Sequence, residues 1–354
     1  MIQLHDDIKK EIKNYIIFKP KTKEELKNAV KVWCKNKDEI LNKYGHISNW
    51  DTSLIDDMSG LFEYCLNFND NINYWDVSSV TNMNNMFRSA ESFNQPLDRW
   101  NVSNVKNMSF MFFNANNFNQ NINNWNVSNV TSMECMFQDI KSFNQPLNNW
   151  NVSNVINMRR IFYNCINFNQ NLNDWNVLNV MYMNKMFEEC KIFNQPLNNW
   201  NTCNVIHMSS MFKNAESFNQ PLDNWNVSNV QTMVDMFNGA SNFNQQLNNW
   251  DVSNVEDMKH MFNGALNFNQ PLDNWDVSNV KHMDCMFLSC RNFNQNLNNW
   301  NVSTSCSARY IFDDMLFFNS YTDNQNAIWY NSKLTTKPII RRGKGYLRSI
   351  NAQV

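Results

Sequence analysis

Residues 268–287 read FNQPLDNWDVSNVKHMDCMF, and near-copies of this stretch recur along the chain. Tryptophan marks each copy: Trp50, Trp75, Trp100, Trp125, Trp150, Trp175, Trp200, Trp225, Trp250, Trp275 and Trp300, at a constant spacing of 25 residues. A fixed period of this size is the signature of repeated supersecondary units that pack against their neighbours. Positions below are counted from each tryptophan as zero. Position 12 is Phe in every copy, from Phe62 to Phe312, and position 18 is Phe from Phe68 to Phe318. Position 19 is Asn from Asn69 to Asn319. Position 8 is Met from Met58 to Met283, with Ala308 in the last copy. Positions 2 and 5 are mostly Val, position 22 mostly Leu, and position 15 is mostly Ala or Cys.

Two periodicities sit inside the copy. Apolar residues at positions 8, 11, 12 and 15 fall at i, i+3, i+4 and i+7, which predicts a short helix with one buried face. Asn at position 4, as in Asn104 and Asn279, stands where an N-cap belongs. Leu-x-x-Trp-x-Val, as in Leu272, Trp275 and Val277, reads as a short strand with Trp and Val inward. The expected fold class is therefore an α/β repeat solenoid. It is a leucine-rich-repeat-like stack of short parallel strands and short helices, with a helical N-terminal cap. A lone copy exposes too much apolar surface to fold, so each must bury its open faces against the next. The Asn of position 19 is expected to form a ladder along the stack, satisfying backbone groups inside the turn.

The repeat, of the form FNQPLNNWNVSNVTNMSNMF, is similar to the leucine-rich-repeat variant of the BspA-like surface proteins, a family found in bacteria with surface lipoproteins, in protists and in giant viruses. The similarity spans Trp50 to Thr322 and extends to the leader KTKEELKNAVKVW and YGHISNWDTS, residues 21–33 and 44–53. The resemblance implies a leucine-rich-repeat fold and a non-enzymatic role in adhesion or host interaction.

Three segments are expected: residues 1–49 as a helical N-terminal cap, 50–324 as eleven repeats, and 325–354 as a C-terminal cap with a basic tail. In the first, Leu4, Ile8, Ile12 and Ile16 suit one helical stripe. Thr22 with Glu25 makes a capping box ahead of an apolar face of Leu26, Ala29, Val30 and Trp33. Ile40 to Tyr44 is a second helical piece that ends at Gly45. The opening MIQLHDDIKKEIKNYIIF carries Asp6, Asp7 and Glu11 and does not read as a signal peptide. An intracellular or virion setting is expected from that. The tail carries Lys333, Lys337, Arg341, Arg342, Lys344 and Arg348 without an acid, and reads as a solvated segment rather than a nucleic-acid site.

The net charge is −2, which argues against a broad field for nucleic acid, and no apolar run is long enough to span a bilayer. The nine cysteines form no paired framework. Cys65, Cys165, Cys190 and Cys290 occupy position 15, where other copies have Ala, so they read as small packed residues and reduced thiols. No phosphate loop, nucleophile elbow or metalloprotease helix is present. Asp257, His260, His282 and Cys285 are acceptable zinc-ligand types, but their outward positions read as a solvated face. No catalytic, cofactor or metal site is expected, and the chain is not expected to be an enzyme.

The inward residues are fixed by packing, so copy-to-copy variation at outward positions must carry any partner choice. Phe110 and Phe113 place aromatic rings where sibling copies have Ser or Lys, and Arg159 and Arg160 follow two copies on. Exposed aromatic patches mark interfaces. The functional expectation is a protein-protein interaction scaffold, host- or virus-related, that binds an unidentified protein partner through Phe110, Phe113, Arg159 and Arg160. The alternative is a structural component of a virion or surface, acting by self-association.

Overall fold

The computed structural model describes residues 17–297 and 299–314. The helix read before residue 17, the end of the last copy and the basic tail lie outside the described residues. The chain divides into two compact units, Met1–Asn171 and Leu172–Val354.

The N-terminal unit opens with helix α1 (Lys23–Lys35), helix α2 (Lys37–Tyr44) and a single 3-10 turn at Ile47–Asn49. Thr22 Oγ1 accepts the Glu25 N–H at 3.2 Å, and the Glu25 carboxylate reaches back to the Lys21 N–H at 2.8 Å. Leu26, Ala29, Val30 and Trp33 are the buried face of α1. Trp33 meets Trp50 edge-on at 6.0 Å, and Phe18 meets Trp50 at 5.0 Å, so the helices cover the first tryptophan of the array. Trp33 Nε1 donates to Asp70 at 2.8 Å, and Lys37 pairs with Asp70 at 2.8 Å. Gly45 ends α2 with φ +72°, a conformation that favours glycine.

The repeats differ from the strand-and-helix reading. Among the described residues no repeat contains a helix, and extended pairing is limited to single-residue parallel bridges at position 7. In the N-terminal unit these run Asp57, Asn82, Asn107, Ser132, Asn157; in the other unit they run Tyr182, His207, Thr232, Asp257, His282, Ser307. The leucine-rich-repeat-like fold class is therefore wrong for this chain: each copy is a closed course of reverse turns.

The reason lies in backbone handedness. Positions 10 and 14 have positive φ in all eleven copies, for example Asn85 (57°) and Ser89 (54°), or Ser210 (57°) and Asn214 (56°). A right-handed helix cannot pass through such residues. Instead, alternate N–H groups serve different partners. Those at positions 8, 10, 12 and 14 donate to the next copy: Met83 to Asn107 at 2.9 Å, Asn85 to Ser109 at 3.0 Å, Phe87 to Met111 at 2.8 Å and Ser89 to Phe113 at 2.7 Å. Those at 11, 13 and 15 close turns within the copy, such as Met86 to Met83 at 3.2 Å and Ala90 to Phe87 at 3.0 Å. The proposed strand is also two turns, Trp75 N–H to Ile72 at 3.0 Å and Val80 N–H to Val77 at 2.9 Å. The apolar spacing of three residues thus marks turn corners that point inward, and the backbone of these positions is paired without a helix or sheet.

Polar residues complete the frame. Asn at position 4 does not cap a helix; its amide donates to the preceding copy, as Asn104 does to the Ser78 carbonyl at 2.7 Å. Asn at positions 1 and 7 folds onto the N–H two residues on, as in Asn101 with Ser103 at 3.2 Å and Asn107 with Ser109 at 2.9 Å. The ladder at position 19 forms as expected: Asn69 Oδ1 accepts the Asn94 N–H at 2.9 Å, and Asn94 Oδ1 accepts that of Asn119 at 3.0 Å. Where Thr202 replaces Val at position 2, its hydroxyl donates to the Asn226 carbonyl at 2.8 Å.

The core is a set of aromatic columns. Phe62, Phe87 and Phe112 stack at 5.3 and 5.4 Å, and from Phe62 to Phe287 the Phe of position 12 lies about 4 Å from the Phe of position 18 in its own copy, as Phe87 does from Phe93 at 4.2 Å. Tryptophans stack too, at 6.3 Å for Trp100 and Trp125 and 6.0 Å for Trp200 and Trp225. Buried indole N–H groups of the later copies reach back one copy, as Trp100 Nε1 does to the Ile72 carbonyl at 3.1 Å. Such offset ring pairs add about 0.5–1.5 kcal/mol each beyond the area they bury.

Candidate protein-binding face

Positions 10 and 13 bracket one reverse turn, closed for example by the Arg88 N–H donating to the Asn85 carbonyl at 3.1 Å, and most of their side chains are half-exposed. In the N-terminal unit the position-10 column runs Gly60, Asn85, Phe110, Cys135, Arg160, and the position-13 column runs Glu63, Arg88, Phe113, Gln138, Tyr163. Neighbouring copies hydrogen-bond through this corner, so residues a full period apart become lateral neighbours: the Phe110 N–H donates to the Glu134 carbonyl at 2.7 Å.

The rings of Phe110 and Phe113 are half-buried and lie 6.1 Å apart, tilted by 49°. Between them and the copies before stands Arg88. Its guanidinium is 5.2 Å from the Phe113 ring centre, 5.9 Å from Phe110 and 5.7 Å from Tyr64. Glu63 holds its other side at 3.6 Å. The structure thus unites Phe110 and Phe113 and adds Arg88 and Tyr64. Those two were missed because they come from other copies; the available signal was the 25-residue offset between Arg88 and Phe113.

Arg159 and Arg160 point to different neighbours. Arg159 pairs with Glu134 at 3.5 Å, and Arg160 lies 5.7 Å over the Tyr163 ring. Both are half-buried. The Nε atoms of Arg88, Arg159 and Arg160 are each buried without a hydrogen-bond partner. Cys135 sits between Phe110 and Arg160 in its column, and burial pushes its thiol up to about 12, so it is an unreactive packing residue. The face offers fixed cations, ring faces and little anionic charge beyond Glu63 and Glu134. Chemically it suits carboxylates and apolar side chains.

The zinc-type residues do not converge. Among the described residues no group of three or more His, Cys, Asp and Glu is placed to hold a metal ion. Asp257 and His282 are bridge partners, while the His260 and Cys285 amides donate to Asp284 and Arg309 of the following copies. No helix among the described residues is long and apolar enough to cross a membrane.

Comparison with known families bears on the repeat. The profile of the family described as "Mycoplasma protein of unknown function, DUF285" matches residues 31–150, 132–248 and 220–325, most of the chain. The chain belongs to the DUF285 family. This is the repeat family that the BspA-like resemblance pointed to, and the matches to DUF285 begin in the last turn of helix α1, at residue 31, and run on through the tryptophan-marked copies. No curated protein and no solved structure matches the chain.

Proposed function

We propose that this DUF285 chain is a non-enzymatic scaffold that binds a protein partner through the ridge formed by Tyr64, Arg88, Phe110, Phe113, Arg160 and Tyr163. The observation that carries the reading is the Arg88 cluster, in which one guanidinium serves three aromatic rings from the two copies that flank its own. Aromatic residues and Arg are the side chains in which binding energy concentrates at protein interfaces. The partner segment that fits is acidic with apolar or aromatic anchors: carboxylates meet Arg88 and Arg160, and the apolar anchors rest on Phe110 and Phe113.

The test is the double substitution Phe110→Ser with Phe113→Lys. Ser210 and Lys213 occupy the same two positions in a sibling copy, and Ser210 has the same positive φ of 57°. Partner capture and thermal melting are measured on the same preparation. Lost capture with unchanged melting supports the ridge as the contact surface. Capture that falls only in proportion to a lowered melting temperature assigns the rings to packing and removes the reading. Concentration-dependent growth in size by light scattering, lost in the same variant, supports self-association in its place.

A further inference from the structure

Position 15 holds fully buried residues in most copies, among them Ala90, Ala115, Cys165, Cys190 and Cys290. Cys65, at the same position of the first copy, is only half-buried, because what covers it is helix α1 rather than another copy. The residue of α1 that faces it is Cys34, also half-buried. The two thiols are close enough to perturb each other, and both residues line one open cavity of about 540 Å³ together with Lys27, Lys31, Lys35, Glu63 and Tyr64. On either side of Cys34, Trp33 and Lys37 are both anchored to Asp70, at 2.8 Å in each case, so the turn that carries Cys34 is held against the loop that follows Cys65.

We propose that Cys34 and Cys65 are a peroxide-sensitive dithiol that closes to a disulfide and staples α1 to the first copy. Both residues line the same open cavity, so a small hydroperoxide has access to them. The neighbouring Cys34 holds the Cys65 thiol below its ordinary value, while Cys65 and burial push Cys34 up. Cys65 is therefore the attacking sulfur. Its thiolate attacks one oxygen of the hydroperoxide; an S–O bond forms, the O–O bond breaks, and the leaving alkoxide or hydroxide takes up a proton. The Cys34 sulfur then attacks the Cys65 sulfenic acid; the S–S bond forms, the S–O bond breaks, and water leaves with the Cys34 proton. Two thiols lose two electrons in total, and the peroxide is reduced to an alcohol (or water) and water. The other buried thiols are closed off: burial alone pushes Cys290 well above the ordinary thiol range.

The experiment treats the full chain with hydrogen peroxide, blocks remaining thiols with an alkylating reagent after unfolding, and maps the peptides by mass spectrometry. The expected result is a Cys34–Cys65 linked peptide, with loss of alkylation at those two positions only, reversed by a dithiol reductant. In Cys34→Ala the second step is removed, so Cys65 should be trapped as a sulfenic acid and labelled by a dimedone probe. Cys65→Ala places the residue that Ala90 and Ala115 show to be tolerated at this position, and should lose all peroxide labelling at the pair. Peroxide-treated native chain in which Cys34 and Cys65 both remain alkylatable overturns the proposal, as does linkage of either to another cysteine or between chains. The wild-type result decides the matter by itself, whether or not either variant folds.

Discussion

Phe187 is fully buried, with its ring 4.1 Å from Phe193 and 5.7 Å from Phe212. Truncating it removes its transfer energy and leaves a cavity that the stacked columns cannot collapse into, so Phe187→Ala is expected to destabilise by about 3–5 kcal/mol in urea unfolding. Lys281→Ala is the surface control. Its ion pair with Glu256 at 2.7 Å is more than half exposed on both sides, and its loss should register at roughly 0–1 kcal/mol. Equal losses for the two would show that the inward and outward positions are misassigned. Lys185 is a poorer control although it also points outward, because its Nζ holds the Glu188 carboxylate at 2.9 Å and that side chain is 8% exposed. A second prediction concerns backbone handedness. Gly239 and Gly264 both stand at position 14 with φ of +71° and +68°. A Cβ on Gly264 meets only ordinary contacts at 3.7 Å, whereas one on Gly239 runs into Asn214 Oδ1, part of an amide that also donates to Glu189. Gly264→Ala should cost about 1 kcal/mol for the left-handed conformation, and Gly239→Ala measurably more in the same assay; equal values would mean that the Asn214 contact is not felt. The core residues at positions 8, 12, 15 and 18 were legible in the sequence because burial repeats with the period. The left-handed sites were not read, although Asn, Asp, Ser and Gly gather at position 14, because an inward/outward pattern carries no information on the sign of φ.

At the scale of the element, helix α1 and the turn courses show why one segment was legible and the other was not. α1 has a capping threonine, acids in its first turn and an apolar stripe, and each signal points to the same element. In the repeats, i, i+3, i+4 and i+7 spacing fits a helix and also fits successive reverse turns; only the residues at positions 10 and 14 separate the two. The candidate face was half legible for a related reason: Phe110 and Phe113 share a copy, whereas Arg88 and Tyr64 join them only once the stacking register is fixed. The packed thiols give a prediction at this scale. Cys165 and Cys190 are buried, and the Cys165 thiol donates to the Phe137 carbonyl at 2.9 Å. Ala stands at this position in sibling copies, so Cys165→Ala with Cys190→Ala should stay folded by circular dichroism and lose on the order of 1 kcal/mol per site. Failure to fold would show that these thiols do more than fill space. The leader offers a pH test. Lys19 pairs with Asp51 at 2.8 Å and, together with Ser53, holds the Asp51 carboxyl at about 2, below its usual 3.8. A carboxyl whose folded value is depressed stabilises the fold above the unfolded value, and that contribution is lost as pH falls toward the folded one. Melting temperature should therefore drop between about pH 4 and pH 2, and Lys19→Met should flatten that part of the profile. An unchanged profile in Lys19→Met would mean that the pair contributes nothing to the acid limb.

At the scale of the molecule, neighbouring copies within each unit hydrogen-bond to one another, and the aromatic columns pass from copy to copy in the same way. Stability in such an array is close to a sum of copy terms and nearest-neighbour terms. Damage should then be local, and locality separates the parts of the chain experimentally. Phe287 is fully buried and stacks on Phe262 at 5.6 Å and on Phe312 at 5.8 Å, all within the C-terminal unit. Phe287→Ala should lower hydrogen-exchange protection in the amides that tie its copy to those two, among them Phe262 to Met286 and Phe287 to Ile311. Protection at Phe87 to Met111 and Phe112 to Met136, beneath the Arg88 cluster, should stay as in the wild-type chain. Partner capture through the ridge should then survive Phe287→Ala and fail in Phe112→Ala, which removes the ring under that cluster. Uniform loss of protection from a single truncation at Phe287 would show that the chain opens as one cooperative body, and nearest-neighbour additivity would have to be abandoned. Capture lost in Phe287→Ala while protection persists around Phe87 and Phe112 would move the contact surface away from the ridge and into the C-terminal unit.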